Sequence, residues 1–197
     1  MRDIHFPGRS PAYGKNSMVA TSHPSATLAA VEILKKGGNA VDAAVTAAAV
    51  LGVVESHSTG IGGDMFCLYC PSGSSEAIAM NASGRVPKNF NIHEVSSKDG
   101  IFVDPFSHAA ITVPYAVAGW DKLVKDYGNL NLNQILSPAI DFAENGYVVA
   151  DVIADMWNRE REKLSRDIDC AEVFLNDRRP YLAGELHFQP KLANTLK

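Results

Sequence analysis

The chain has 197 residues, 46% of them hydrophobic, which is enough for one sizeable core. Its formal net charge of −4 comes without a block of Lys or Arg, so we expect no nucleic-acid partner. The longest apolar stretch is interrupted by Asp42, and residues 1–10 lack an apolar signal, so we expect a cytoplasmic protein with no membrane partner. Because the three cysteines are an odd number, we expect no disulfide framework.

The N-terminal third predicts two helices that pack together. Residues 18–22 have the composition of a short strand, and residues 25–36 carry apolar side chains at helical spacing. Pro24 suits a first helical turn, and the glycines at 37 and 38 predict the end of this helix. We interpret His23 as a hydrogen-bonded residue at the helix start rather than as a catalytic base.

The second helix is predicted over residues 39–54, which are rich in alanine and nearly uncharged. Asn39 is a suitable N-cap, and Asp42 lies in the first turn, where the helix dipole favours an anion. A helix with so few polar positions is expected to be buried on most sides.

A glycine-rich loop follows this helix and reads ESHSTGIGGD over residues 55–64. Glycines permit tight turns and the close approach of another chain or ligand. The loop follows a helix and precedes a strand, which is the reverse of the order in nucleotide-binding fingerprints. We therefore interpret it first as a packing corner of the fold, second as a part of a substrate pocket, and only last as a phosphate site.

The rest of the chain predicts a sheet followed by helices. Residues 65–70 and 76–80 predict an antiparallel hairpin, and residues 81–112 predict irregular structure of a length that is often functional. Helices are then predicted over residues 115–127, 133–144 and 150–165, with breaks at Gly128, Gly146 and residues 167–169, and another helix is predicted to start at 192–197. This pattern indicates an α+β fold.

Other chemical motifs are weaker. His57, Ser58 and Asp64 are the residue types of a serine triad, but three neighbours in one loop rarely converge in that geometry. Cys67 and Cys70 have C-x-x-C spacing, yet residues three apart on a strand point to opposite faces, which disfavours a redox or zinc site. We expect no metal and no cofactor.

Several segments, taken in order, resemble the N-terminal part of gamma-glutamyltransferases, threonine-dependent members of the N-terminal nucleophile (Ntn) hydrolase superfamily. The resemblance covers roughly residues 15 to 195. The segments that carry it are MVATSHP (18–24), LKKGGNAVDAA (34–44), LGVVESHSTGIGGD (51–64), TVPYAVAGW (112–120) and LSPAIDFAENG (136–146).

The resemblance implies a proenzyme that cuts itself into a large and a small subunit and folds as a four-layer α/β/β/α sandwich. Residues 1–197 would form one domain of the large subunit, helical from about residue 115 onward, and the sandwich would be incomplete in this chain. The nucleophile would be the threonine at the new N-terminus of the small subunit, activated by its own α-amine. The resemblance therefore places no catalytic residue in this chain, which alone should be inactive, and makes the small-subunit half its partner.

The family also places an arginine, which binds the α-carboxylate of the γ-glutamyl donor, four residues before a proline. That proline matches Pro87, so the arginine position is occupied by Ser83, while Arg85 lies two residues later. Serine cannot supply a charged, bidentate fork to a carboxylate. Either Arg85 reaches the same anion through a reshaped loop, or the substrate is not an ordinary γ-glutamyl compound. Ser83 and Arg85 are the candidate substrate-binding residues.

Three functional hypotheses follow. The first is transfer or hydrolysis of a γ-glutamyl group, and the second is an acylase of the same family that acts on another acyl amide, such as a glutaryl amide. The third is a non-catalytic binding or scaffold remnant, because the chain itself holds no nucleophile. If Arg85 does not contact substrate, it is a solvated surface charge.

Overall fold

The computed structural model describes residues 11–97, 100–101, 103–104 and 107–197. The helices are α1 (Pro24–Lys35), α2 (Ala40–Val54), α3 (Ala116–Tyr127), α4 (Leu132–Asn145), α5 (Asp151–Arg159), α6 (Arg161–Leu164), α7 (Ile168–Phe174) and α8 (Pro190–Leu196). The strands are β1 (Met65–Tyr69), β2 (Ile78–Ala82), β3 (Ser96–Ser97), β4 (Gly100–Ile101), β5 (Tyr147–Val148), β6 (Leu175–Asn176), β7 (Arg179–Pro180) and β8 (Leu186–His187). The strands pair antiparallel as β1 with β2, β3 with β4, β5 with β8 and β6 with β7. The α+β class is confirmed.

Helix α1 begins and ends close to the predicted residues. His23 is the N-cap, where its Nδ1 accepts a hydrogen bond of 3.2 Å from the backbone N–H of Ser25, and Pro24 follows in the first turn. Gly37 ends the helix with a φ of +95°, a left-handed conformation that glycine adopts without steric cost. The interpretation of His23 as a helix-start residue is confirmed.

Helix α2 is the centre of the core, as its composition predicts. The Asn39 side chain accepts from the N–H of Asp42 at 3.2 Å, and the Asp42 carboxylate accepts from the N–H of Asn39 at 2.8 Å, so the two residues form a capping box. Most α2 residues are buried against α1, α3 and α4. The buried hydroxyl of Thr46 donates to the carbonyl of Ile135 at 3.0 Å, which fixes α2 against α4.

The predicted hairpin is confirmed, with Met65 paired to Ala82. Side chains alternate along β1, so that Met65, Cys67 and Tyr69 are half-buried, while Phe66 and Leu68 are 68% and 77% exposed. Helix α3 packs against this hairpin. The opposite face of the hairpin therefore presents apolar side chains to solvent.

The predicted strand over residues 18–22 is wrong. A strand needs a neighbouring backbone with which to exchange hydrogen bonds, and within the described residues no strand pairs with this segment. Instead, residues 16–21 run beside α2 and line a groove with Ala43, Ala44, Ala47 and Ala48.

Two predicted features of the C-terminal half are also corrected. The helix predicted over 150–165 is divided into α5 and α6 at Glu160, where the sequence has neither a glycine nor a proline to predict a break. Residues 167–169 are a helix start rather than a turn, because the Asp167 carboxylate accepts from the N–H of Cys170 at 2.8 Å and caps α7. Aspartate serves both turns and caps, so its presence alone does not distinguish them.

The chain is not purely helical beyond residue 115, because β5 to β8 lie among the helices. These two-residue ladders bring together an aromatic cluster around the fully buried His187, whose ring centroid lies 4.9 Å from that of Trp157 and 4.8 Å from that of Tyr181. Helix α8 returns to pack against α4, so the C-terminal elements close over the same core as α2.

Candidate substrate-binding site

The glycine-rich loop between α2 and β1 is joined to two distant segments by Asp64. Its carboxylate oxygen Oδ1 accepts a hydrogen bond of 2.7 Å from the backbone N–H of Gly84, just after β2. The same oxygen is 3.5 Å from the hydroxyl of Thr112, just before α3. One side chain thus holds the glycine loop, the segment after β2 and the segment before α3 together.

The start of α3 is held by the same loop. The carbonyl of Gly63 accepts from the N–H groups of Tyr115 at 3.2 Å and Ala116 at 3.0 Å. These amides would otherwise be free donors at a helix N-terminus, where anions often bind. Their use by Gly63 supports the interpretation of the loop as a packing corner.

Ser83 and Arg85 lie on the segment that Asp64 holds. The N–H of Ser83 donates to the side-chain oxygen of Asn81 at 2.9 Å, and the carbonyl of Arg85 accepts from the N–H of Val113 at 2.9 Å. Between them, a Cβ on Gly84 would lie 2.1 Å from the carbonyl oxygen of Val113 and would clash with it. The backbone of this segment is therefore fixed on both sides of Gly84.

The two candidate side chains differ in exposure. Ser83 is half-buried, whereas Arg85 is exposed, and no ion pair joins Arg85 to a carboxylate in the described part of the chain. An exposed guanidinium on a fixed backbone is available to an anion from outside. The structure gives the positions of these residues, and their role in substrate binding stays a prediction.

The residues of the disfavoured triad are not brought together. The Asp64 carboxylate pairs with Gly84 and Thr112, and no hydrogen bond within the described residues joins it to His57 or joins His57 to Ser58. Serine activation requires both of these contacts. The loop therefore carries no serine-hydrolase geometry.

The two cysteines of the C-x-x-C spacing are also separated. Cys67 is half-buried in β1 opposite Met80, whereas Cys70 is exposed beyond the end of the strand, and both are free thiols. Burial raises the pKa of the Cys67 thiol, which disfavours the reactive thiolate. In the described residues, no group of three His, Cys, Asp or Glu side chains is arranged to hold a metal ion, and no helix is both long and apolar enough to cross a membrane.

A buried polar cluster at the end of α2 was not predicted from the sequence. The hydroxyl of Ser22 donates to Oε2 of Glu55 at 2.6 Å, and both Glu55 and His23 are more than nine-tenths buried. Burial lowers the pKa of His23, an effect that the Glu55 charge partly offsets. Contacts between residues 33 positions apart leave no local pattern, so sequence periodicity could not have found this cluster.

Comparisons with known proteins agree with this architecture. The gamma-glutamyltranspeptidase family model matches residues 26–197. The glutathione hydrolase-like YwrD proenzyme of Bacillus subtilis is 37% identical over 183 residues, which are 93% of this chain and 35% of that protein. The chain therefore spans about a third of the length of the curated relatives it matches.

Solved structures give the same result. The gamma-glutamyltranspeptidase of Helicobacter pylori is 30% identical with a TM-score of 0.88, over 95% of this chain and 54% of that chain. A cephalosporin acylase from Bacillus halodurans is 33% identical with a TM-score of 0.82, over 98% of this chain and 38% of that chain. These residues form part of an Ntn-hydrolase fold, and since the family model covers nearly all of them, the chain belongs to the gamma-glutamyltranspeptidase family.

Proposed function

We propose that this chain is the large-subunit part of an enzyme that takes an acyl group from an amide donor and passes it to water or to an amine. Membership of the family supports the reaction class. The observation that carries the assignment of a binding role to this chain is the position of Arg85, whose guanidinium is exposed while its backbone is held by Val113.

Arg85 suits the task of holding the free carboxylate of the donor. A guanidinium offers a planar pair of N–H donors that match the two oxygens of a carboxylate, and it stays charged at any physiological pH. Asp64 supports this role indirectly, because it fixes the neighbouring Gly84 and so limits the positions that Arg85 can take. Ser83 can donate only one hydrogen bond to a carboxylate, and that bond would have the strength typical of a neutral hydroxyl.

The covalent chemistry would be carried out outside residues 1–197. A threonine at the N-terminus of the small subunit would attack the donor carbonyl after its own α-amine takes the hydroxyl proton. The amine of the donor would leave, and an acyl-enzyme ester would remain until water or an acceptor amine attacks it. Within this scheme the present chain binds the donor and supports the other subunit, and it is inactive alone.

Two donor classes are compatible with this scheme. A γ-glutamyl amide is the first, since the family is named for that activity. An amide of another dicarboxylic acid, such as a glutaryl amide, is the second, and Ser83 at the expected arginine position favours it. The similarity to a cephalosporin acylase also supports an acyl group other than γ-glutamyl. The third hypothesis, a non-catalytic remnant, predicts that no amide is turned over.

The test uses the full-length protein and compares hydrolysis of γ-glutamyl and glutaryl p-nitroanilides. We expect turnover of at least one of them, with the faster reaction identifying the donor class. Arg85→Gln should raise KM by about tenfold or more, and Arg85→Lys should raise it less, because hydrogen bonds to charged groups are strong but lysine lacks the planar fork. Lys88→Gln, which removes an exposed cation from the same segment, should leave KM within about twofold of the wild-type value.

Two results would contradict the proposal. If the full-length protein hydrolyses neither anilide, the enzymatic assignment fails, and the remnant hypothesis is favoured. If it hydrolyses one of them but Arg85→Gln and Lys88→Gln behave alike, Arg85 is a surface charge. The cytoplasmic location stays a prediction.

A further inference from the structure

An apolar cavity of about 240 Å³ lies next to Arg85 and is open to solvent. Its walls come from the segment after Arg85 and from the segment before α3. They include Val86, Pro87, Phe90, Ala109, Ile111 and Thr112. Apart from Thr112, the described residues that form this wall are apolar.

Arg85 lies beside both of the segments that form the cavity. It immediately precedes the lining residue Val86, and its carbonyl accepts the N–H of Val113, which immediately follows the lining residue Thr112. The exposed Arg85 side chain therefore starts from a backbone position next to both segments of the wall. A cationic anchor and an apolar volume therefore lie side by side.

The cavity is large enough for a sizeable hydrocarbon group. An apolar cavity of about 150 Å³ in another protein holds a benzene molecule, so about 240 Å³ can hold a phenyl ring with a short linker. Two of its lining side chains, Val86 and Ile111, are 60% and 63% exposed. Covering them with an apolar group would remove that surface from water, which is favourable.

We propose that this cavity binds an apolar part of the acyl group whose carboxylate is held by Arg85. This inference rests on the proposed function and narrows its substrate class. The donor would be the amide of a dicarboxylic acid that carries an aryl or branched alkyl group near its free carboxylate. Such a molecule presents both features of the site, whereas an unsubstituted glutaryl group would use only Arg85.

The test measures, in the full-length protein, the ratio of kcat/KM for two substrates. Two p-nitroanilides are compared, one with a glutaryl group and one with a glutaryl group that carries a benzyl substituent on the carbon next to the free carboxylate. The wild-type ratio of kcat/KM, benzyl over unsubstituted, is expected to exceed one. Ala109→Leu places extra carbon atoms in the cavity and should lower this ratio by at least about tenfold, the discrimination that apolar pockets achieve for small changes in size.

A matched control comes from the neighbouring residue. Ala110 lies with Ala109 in a 3₁₀ turn (His108–Ala110), is exposed and is not among the residues that line the cavity, so Ala110→Leu should leave the ratio unchanged. Ala109→Val is a smaller change and should lower the ratio less than Ala109→Leu does. This variant keeps the test usable if the larger side chain prevents folding.

The outcomes separate this inference from the proposed function. Hydrolysis of neither of these two anilides contradicts the inference alone if the γ-glutamyl anilide is still hydrolysed, and contradicts the proposed function as well if it is not. Hydrolysis of glutaryl anilide with a ratio that Ala109→Leu and Ala109→Val leave unchanged contradicts the cavity assignment alone. If Ala109→Leu slows both substrates equally and lowers the melting temperature, the cavity is a packing site for the rest of the protein, and the inference is wrong.

Discussion

The Asp64 carboxylate accepts a hydrogen bond of 2.7 Å from the backbone N–H of Gly84, although the two residues are 20 positions apart. This contact connects the glycine-rich loop to the segment that carries Arg85. Under the proposed role of Arg85, a loop with no catalytic side chain of its own would affect substrate binding through this contact. The loop acts by fixing the position of the neighbouring backbone.

Replacement of Asp64 should therefore weaken catalysis without removing any group from the reaction. In the full-length protein, Asp64→Ala should lower kcat/KM by roughly tenfold to a hundredfold, because a small misplacement of a binding group has effects of that size. Asp64→Asn keeps one acceptor oxygen and should lower kcat/KM less. Steady-state kinetics on the preferred anilide is the measurement. Glu76→Ala, in the exposed hairpin turn, is the control, and an equal effect of Glu76→Ala would contradict the account.

Asp42 should be essential for stability. Its carboxylate is fully buried and accepts from the N–H groups of Asn39 at 2.8 Å, Asn129 at 3.0 Å and Leu130 at 3.4 Å. Asp42→Ala would leave these donors unpaired in the core and should lower the free energy of unfolding by about 2–4 kcal/mol. Urea denaturation of the full-length protein measures the change.

The control for this prediction is another aspartate in a helix. Asp126 lies in α3 and pairs with Lys122 four residues earlier on the exposed surface. Asp126→Ala should change the free energy of unfolding by about 0.5 kcal/mol or less, as is typical of such pairs. Equal denaturation midpoints for the two variants would show that the Asp42 contacts contribute little.

His187 predicts a loss of stability at acid pH. Its Nε2 lies 2.8 Å from the carbonyl of Val173, so Nε2 carries the proton of a neutral ring, and Nδ1 accepts from the Tyr147 hydroxyl at 3.2 Å. Burial lowers the pKa of His187, although the hydrogen bond to Val173 opposes this shift. Burial raises the pKa of Tyr147, so its hydroxyl keeps the proton that it donates. The unfolded chain, with a histidine pKa of about 6.5, binds a proton more readily than the folded one.

Stability from the neutral ring is therefore fully present above about pH 6.5 and falls as the pH drops from there toward the lowered pKa of folded His187. His187→Gln should be less stable at pH 7 but should lose less further stability on acidification than the wild type. Thermal melts between pH 7.5 and pH 5 of both proteins, with His108→Gln as the exposed control, measure this slope. An equal change of melting temperature with pH in all three proteins would contradict the assignment. The buried His23 contributes a change of the same sign in each protein.

The outer face of the hairpin predicts poor behaviour of the isolated chain. Phe66 and Leu68 are 68% and 77% exposed on one side of β1, and exposed apolar strands promote association. Residues 1–197 expressed alone should aggregate, and Phe66→Ser with Leu68→Ser should reduce the aggregation. Light scattering during size-exclusion chromatography is the measurement. A monodisperse wild-type chain would favour the remnant hypothesis.

Local signals in the sequence predict much of this fold. Pro24 with Gly37, and Asn39 with Asp42, define the first two helices because caps and stops act within a few residues. Predictions fail where a feature depends on distant partners. Residues 18–22 have strand composition, but no strand lies beside them in the part of the chain that the structure describes. His187 becomes the centre of an aromatic cluster only after β5 pairs with β8.

The candidate site divides in the same way. Ser83 and Arg85 are identified through the resemblance to the family, which implies an arginine four residues before the proline that matches Pro87. The contacts of Gly84 with Asp64 and of Arg85 with Val113 bridge 20 and 28 positions, and neither the periodicity nor the composition of residues 81–112 indicates them. The cavity beside Arg85 likewise exists only after the two segments meet, although the apolar residues that line it are visible in the sequence.

The most direct test of the account is the location of the acyl-enzyme. The full-length protein is mixed with the preferred anilide, quenched in acid during turnover, digested and analysed by mass spectrometry. We predict that the acyl group is found on an N-terminal threonine outside residues 1–197. An acyl group on any serine, threonine or cysteine within residues 1–197 would contradict the claim that this chain binds the donor while the other subunit carries out the reaction.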